Sequence, residues 1–151
     1  MPTPFSITII IDAPIETVWR KLVDWQSQSD WMAMTRVHAS HNGADDSGIG
    51  TMISAFTGVG RFGIEDAMRV TQWQPPTFCA VNHYGRWIKG IGEFTLESME
   101  NRELNSISTS FHWYEEIEGS PLLLNILKPG ILTAVYFSLR KFARTFTDSQ
   151  H

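Results

Sequence analysis

Apolar residues near the C-terminus recur at the spacing of one helical face. Within residues 129–146 the apolar stripe consists of Leu132, Val135, Tyr136, Leu139, Phe142, Ala143 and Phe146. These steps of three and one place the side chains on one side of an α-helix. Pro129 suits a first helical turn, because its missing N–H would have no partner there. The pattern predicts a long helix from Pro129 to Phe146, after a short apolar segment that Pro129 and Gly130 bend away.

Alternation of apolar and polar residues predicts strands through most of the remaining chain. The predicted strands are Phe5–Ile11, Thr35–His41, Thr51–Thr57, Ile64–Trp73, Phe78–Tyr84, Ile88–Ser98 and Leu104–Glu116. Two short helices are predicted after the first strand, where Pro14 suits a helix start. Short turns between consecutive strands imply antiparallel pairing. The sequence therefore predicts an α+β fold, in which an antiparallel sheet of six to seven strands supports the C-terminal helix.

Composition and charge narrow the class of protein. The chain has 151 residues, which is the size of one ordinary domain, residues 1–151. No apolar run reaches the length of a membrane span and no secretory leader opens the chain, so a cytoplasmic protein is expected. The net charge of −4 does not favour nucleic acid as a partner. A single cysteine, Cys79, excludes an internal disulfide and a cysteine-based metal cluster.

The segment from Gly58 to Gly63 has the G-x-G-x-x-G spacing of a dinucleotide-binding loop. That spacing binds a pyrophosphate only where a long helix follows. Here the following residues alternate with a period of two and end at Pro75-Pro76, so a hairpin turn is predicted instead. The five histidines show no metal-binding spacing. The sequence thus predicts neither a cofactor nor a metal.

Several local patterns, together with the order of elements, resemble one known superfamily. The patterns are Ile11-Asp12-Ala13-Pro14-Ile15-Glu16-Thr17-Val18-Trp19, Asp24 followed by Trp31, Val70-Thr71-Gln72-Trp73-Gln74-Pro75-Pro76, Gly90-Ile91-Gly92-Glu93-Phe94-Thr95-Leu96 and Phe111-His112-Trp113-Tyr114-Glu115-Glu116. Nearly the whole chain resembles the START-like, Bet v 1-like (SRPBCC) superfamily, especially its bacterial polyketide cyclase/dehydrase-like members. The resemblance implies a helix-grip fold, in which a curved antiparallel sheet wraps around the C-terminal helix and encloses a cavity. It also implies binding of apolar molecules, with cyclase or aromatase activity in some members.

Strand parity indicates which side chains face such a cavity, because alternate residues of a strand point to opposite faces. We expect the mainly apolar set of alternate residues on each strand to face inward. With two residues of the helix, these side chains are the predicted ligand contacts: Met68, Val81, Gly90, Gly92, Phe94, Phe111, Trp113, Glu115, Tyr136 and Leu139. A turn centred on Pro75-Pro76 would pair Met68 with His83 and place Gly90 opposite His83, where a glycine either leaves room for a ligand or marks a bulge. A one-residue slip would turn the other face of the fifth strand inward.

Asp66 and His83 are the candidate catalytic residues, because this register makes them diagonal neighbours that project into the cavity together with Trp113. A carboxylate beside an imidazole favours its protonated form, and the pair could orient a ligand carbonyl or hydroxyl, transfer a proton, or simply form a structural ion pair. Three functions fit the sequence. The first is binding of a small hydrophobic or amphipathic ligand; the others are a cyclase/dehydratase-like enzyme and a protein-interaction module with an apolar groove.

Overall fold

The computed structural model describes residues 2–40 and 48–148. Its elements in chain order are β1 (Thr3–Ile11), α1 (Ile15–Leu22), a 3₁₀ helix (Trp25–Asp30), β2 (Thr35–Ser40), β3 (Met52–Val59), β4 (Phe62–Gln74), β5 (Phe78–Tyr84), β6 (Lys89–Asn101), β7 (Ser106–Ile117) and α2 (Pro121–Asp148). The predicted order of strands and helices is confirmed. His41, predicted as the last residue of the second strand, lies outside the described residues.

The seven strands form one antiparallel sheet in the order β1-β7-β6-β5-β4-β3-β2, which curls into a half-barrel. From β2 to β7, consecutive strands pair with each other, as their short connections require. The exception is β1, which pairs with β7 at the edge opposite β2. This sheet with its long C-terminal helix confirms the predicted α+β architecture.

The core lies between the concave face of the sheet, α1 and the inner face of α2. Its fully buried large side chains include Phe5, Ile11, Val18, Leu22, Ile53, Val70, Leu96, Phe111, Leu139 and Phe142. The Phe142 ring lies 4.6 Å from the Trp31 ring and 6.2 Å from the Phe111 ring, measured between centroids. The hydroxyl of Ser138 accepts a hydrogen bond from the backbone N–H of Ala33 at 3.0 Å. These contacts hold α2 across the open side of the half-barrel.

Helix α2 begins at Pro121 rather than at Pro129, which lies inside it. A proline removes one backbone hydrogen bond, here to the carbonyl of Asn125. Both Asn125 and Pro129 are exposed, so water can reach that carbonyl and the helix continues without a break. Pro121–Thr147 is consequently long and apolar enough to cross a membrane by length and composition, contrary to the expectation that no apolar run has this length. Its inner face nevertheless packs on the sheet, as that of a core helix does.

Tyr136 was predicted to line the cavity, but in the structure its side chain faces outward and is 44% exposed. Successive helical residues are rotated by about 100°, so Tyr136 is turned away from the inner face that Val135 and Leu139 occupy. Its ring instead lies 5.9 Å from that of Phe137 on the surface.

Strands β4 and β5 pair at the site in the predicted register, with Met68 opposite His83 and Val70 opposite Val81. A bulge between Val70 and Gln72 produces this register, since nearer the turn the partners are shifted by one residue. Without the bulge, Val70 would lie opposite Asn82, and the other face of β5 would turn inward. The bulge therefore decides that His83 points towards the core.

Gly90 lies opposite His83, as predicted, and the structure shows that the packing of two strands requires a glycine there. Its φ is +143°, and a Cβ at this position would collide with the carbonyl oxygen of Glu116 on β7. Only glycine allows β6 and β7 to approach this closely in that conformation.

We expect Gly90→Ala to lower the free energy of unfolding by about 2–4 kcal/mol, because it adds both backbone strain and a steric collision. The control is Gly60→Ala in the turn between β3 and β4. Its φ is +60° and its Cβ would meet nothing within 4 Å, so the substitution adds backbone strain without a collision and a loss of about 1 kcal/mol is expected. Urea denaturation measures both values, and equal losses would contradict the assigned role of Gly90.

Candidate functional site

A mostly enclosed cavity of about 100 Å³ lies between the concave face of the sheet and α2. The sheet contributes Ala55, Thr57, Asp66, Met68, Phe94, Trp113 and Glu115 to its lining, and α2 contributes Val135, Ser138 and Leu139. The segment between α1 and β2 closes one side with Gln28, Trp31 and Met32, next to Thr35 at the start of β2. A mainly apolar lining with a few polar groups is the usual form of a small-molecule site.

Six of the predicted site residues lie in this lining: Asp66, Met68, Phe94, Trp113, Glu115 and Leu139. Val81 and Phe111 are instead buried in the core behind it, which differs from their predicted placement. The Phe111 ring lies 5.8 Å from that of Phe94 and also contacts Phe142, so neighbouring rings separate it from the cavity. Ligand contact by the six lining residues stays a prediction.

His83 on β5 lies between two carboxylates, one on β4 and one on β7. Its Nδ1 is 2.8 Å from Oδ1 of Asp66 on β4, which confirms the predicted neighbours. Its Nε2 is 3.5 Å from Oε1 of Glu115 on β7, and this second partner was not anticipated. The His83 side chain is only 1% exposed, whereas the carboxylates are 17% and 16% exposed. His83 therefore sits behind Asp66 and Glu115, which face the cavity, instead of projecting into it as predicted.

Gly92 explains how Glu115 reaches His83 across an intervening strand. On β6, Gly92 pairs with Val81 on one side and with Glu115 on the other. A Cβ on Gly92 would lie 3.2 Å from Nε2 of His83 and 3.4 Å from Oε1 of Glu115. The absent side chain leaves the space in which the two groups meet. A glycine with an inward carboxylate opposite it on one neighbouring strand and an inward histidine diagonal to it on the other is the sequence signal that could have revealed this contact.

The charges of this cluster determine the protonation of His83. Burial alone would lower the pKa of His83, because it disfavours the charged imidazolium. The hydrogen bond to Asp66, the contact with Glu115 and both negative charges outweigh burial and raise the pKa of His83 to about 10. His83 is thus protonated at neutral pH and cannot accept a further proton. The groups that can interact with a molecule in the cavity are the two carboxylates.

Trp31 provides a hydrogen-bond donor on another side of the cavity. Its side chain is 4% exposed, and Nε1 has no hydrogen-bond partner within the part of the chain that the structure describes. Leaving a buried N–H unpaired costs roughly 1–3 kcal/mol. An acceptor on a bound molecule would recover this energy if it reached Nε1.

The outer face of the sheet carries a larger depression of about 500 Å³, which is open to solvent. Its polar lining includes Arg69, Asn82 and Tyr84, which are all exposed. Because water competes for such groups, the enclosed cavity is the better candidate site. Within residues 2–40 and 48–148, no group of three or more histidine, cysteine, aspartate or glutamate side chains could hold a metal ion.

Comparison with solved structures shows the fold. The Zhui aromatase/cyclase from Streptomyces sp. R1128 matches with a TM-score of 0.74 and 13% identity, over 96% of this chain and 93% of that one. XoxI from Bacillus cereus matches with a TM-score of 0.75 and 10% identity, over 99% of both chains. Protein CV1439 from Chromobacterium violaceum matches with a TM-score of 0.68 and 14% identity, over 95% of this chain and 96% of that one. This chain has the helix-grip fold.

The likeness extends over nearly the whole chain, as the resemblance in sequence patterns predicted. No family model matches the sequence, and no curated protein matches it. At these low identities the helix-grip fold is shared, while the chemistry must be argued from the site itself.

Proposed function

We propose that this helix-grip protein binds a small amphipathic molecule in the cavity between the sheet and α2. The observation that carries the proposal is an enclosed apolar cavity, into which Asp66 and Glu115 face and which Trp31 borders with an unpaired N–H. The apolar walls would supply most of the binding energy, at ~25 cal/mol per Å² of apolar surface removed from water. The polar groups would orient the ligand.

The charges around the cavity favour one ligand chemistry. Asp66 and Glu115 accept hydrogen bonds, so a hydroxyl of the ligand can donate to either. The imidazolium of His83 balances only one of two ionised carboxylates, and a ligand anion would therefore be repelled. The Nε1–H of Trp31 favours a carbonyl or hydroxyl oxygen as acceptor. A neutral molecule that carries hydroxyl and carbonyl groups on an apolar body meets all these requirements.

The size of the cavity adds a condition on the ligand. Its volume of about 100 Å³ is well below the roughly 300–1,000 Å³ that small-molecule sites usually measure. A molecule of lipid or polyketide size therefore requires the cavity to expand. Met32 and Met68 in the lining are suited to this, because unbranched methionine side chains repack readily.

Filling the cavity should abolish ligand retention. Ala55 is 6% exposed and lies in the lining, so Ala55→Leu would occupy the space available to a ligand. We expect native mass spectrometry of the wild-type protein, purified from its own host, to show a retained small molecule that Ala55→Leu lacks. The same substitution at exposed Ala134 is the control and should leave the molecule bound. Equal retention by Ala55→Leu would contradict binding in this cavity.

A cyclase/dehydratase-like reaction is the second proposal, and the position of Asp66 in the lining favours it. His83 holds the Asp66 carboxylate at 2.8 Å, so it would act as a positioning residue while Asp66 exchanges a proton with the substrate. Asp66→Asn should then abolish turnover of a polyketide-like substrate without abolishing its binding. Unchanged turnover in Asp66→Asn would rule out this role and leave binding as the function.

A further inference from the structure

The outer face of α2 exposes a large apolar surface that no other part of the described chain covers. Five of its apolar side chains are between 47% and 74% exposed: Leu122, Leu123, Ile126, Leu127 and Phe137. At about 100° per residue, all five fall within an arc of about 140° on one side of the helix. Hydrophobic side chains this exposed and this contiguous are typical of an interaction surface.

The same face becomes basic towards the C-terminus of the helix. Arg140, Lys141 and Arg144 are exposed and project within the same arc as the five apolar side chains. Between residues 121 and 147 the sequence contains no aspartate or glutamate. Among the side chains that the structure describes, in residues 2–40 and 48–147, no carboxylate lies within ion-pair distance of these three cations. Within those residues the positive charge is unpaired, in a chain whose net charge is −4.

We propose that the outer face of α2 lies on the surface of an anionic lipid bilayer. The apolar first half would enter the interface between headgroups and acyl chains, and the basic second half would contact anionic headgroups. A helix with one apolar surface and several cations binds bilayers in this manner. Each cation near an anionic membrane strengthens binding roughly fivefold. The inner face keeps Leu139 and Phe142 packed in the core, so α2 lies on the membrane without spanning it.

A second copy of the chain fits this face less well than a bilayer does. A symmetric antiparallel contact between two α2 helices would place the basic half of one against the apolar half of the other. Three cations would then lose water without gaining a carboxylate, which is unfavourable.

The test is co-sedimentation with vesicles of phosphatidylcholine, alone or mixed with phosphatidylglycerol. We expect binding to the mixed vesicles that weakens with added salt, and little binding to phosphatidylcholine alone. The double variant Leu122→Glu/Ile126→Glu should abolish binding. The triple variant Arg140→Gln/Lys141→Gln/Arg144→Gln should weaken it by about 100-fold, from roughly fivefold per cation.

A matched control lies in the turn between β6 and β7. Leu104 and Leu122 are both 74% exposed, and Arg102 is an exposed cation beside Leu104. The variant Arg102→Gln/Leu104→Glu should bind vesicles as the wild type does. Equal loss of binding in this control, or failure of the wild type to bind, would overturn the proposal. So would a dimer in sedimentation velocity that Leu122→Glu/Ile126→Glu dissociates, since a second copy would then cover the face.

Circular dichroism and thermal melting should be unchanged in all of these variants, because every substituted side chain is exposed. Membrane binding rests on the outer face of α2 and is independent of the ligand proposal, which rests on the cavity under its inner face. If Leu122→Glu/Ile126→Glu no longer binds vesicles but still retains the small molecule, membrane binding and ligand binding are separate properties of the protein.

Discussion

Replacing Leu139 with aspartate is expected to lower the free energy of unfolding by roughly 5 kcal/mol. Leu139 is 2% exposed and lies between α2 and the sheet, so the substitution removes apolar packing and buries a carboxylate. Asp66 and Glu115 line the same cavity, and their negative charges would repel the new one. This effect is large enough to unfold many domains.

Urea denaturation of Leu139→Asp and of Leu123→Asp measures this effect against a matched control. Leu123 is 55% exposed on the outer face of the same helix, so its substitution should change stability by no more than about 0.5 kcal/mol. Similar values for the two variants would show that the inner face of α2 has been assigned to the wrong side of the helix.

The ion cluster around His83 should make stability depend on pH. The folded state raises the pKa of His83 from 6.5 to about 10. Below pH 6.5 both the folded and the unfolded chain carry this proton, so the full stabilisation is present. Between pH 6.5 and about 10 only the folded chain retains it, and the stabilisation is lost as the pH rises. The contribution of protonated His83 to the free energy of unfolding falls by at most about 1.4 kcal/mol per pH unit.

The variant His83→Gln isolates this contribution from other titrating groups. The substitution leaves Asp66 and Glu115 without the positive charge of His83. Below pH 6.5 this is expected to lower the free energy of unfolding by about 3–5 kcal/mol. The difference in free energy of unfolding between wild type and variant should then shrink steadily up to about pH 10. A difference that stays constant over this range would contradict a protonated His83 in the folded protein.

The regular elements could be predicted because their periods are local properties of the chain. Alternation with a period of two identified the seven strands, and the stripe from Leu132 to Phe146 identified the inner face of α2, with Tyr136 as its one misplaced member. The Asp66–His83 contact also followed from parity and from the turn at Pro75-Pro76. The register was right at the site only because a bulge at Thr71 compensates for a shift nearer the turn. No local pattern marks that bulge.

The sequence by itself determined the order of strands and helices and the apolar side of most of them, and it indicated Asp66 and His83 as neighbours. The tertiary structure decided that Glu115 completes the cluster across Gly92, because this contact depends on the stacking of three strands that no single period encodes. It also decided that α2 continues through Pro129, since the exposure of Asn125 and Pro129 to water follows from how the whole helix lies on the sheet. Periodicity reports which residues share a face, whereas burial depends on what the rest of the chain places against that face.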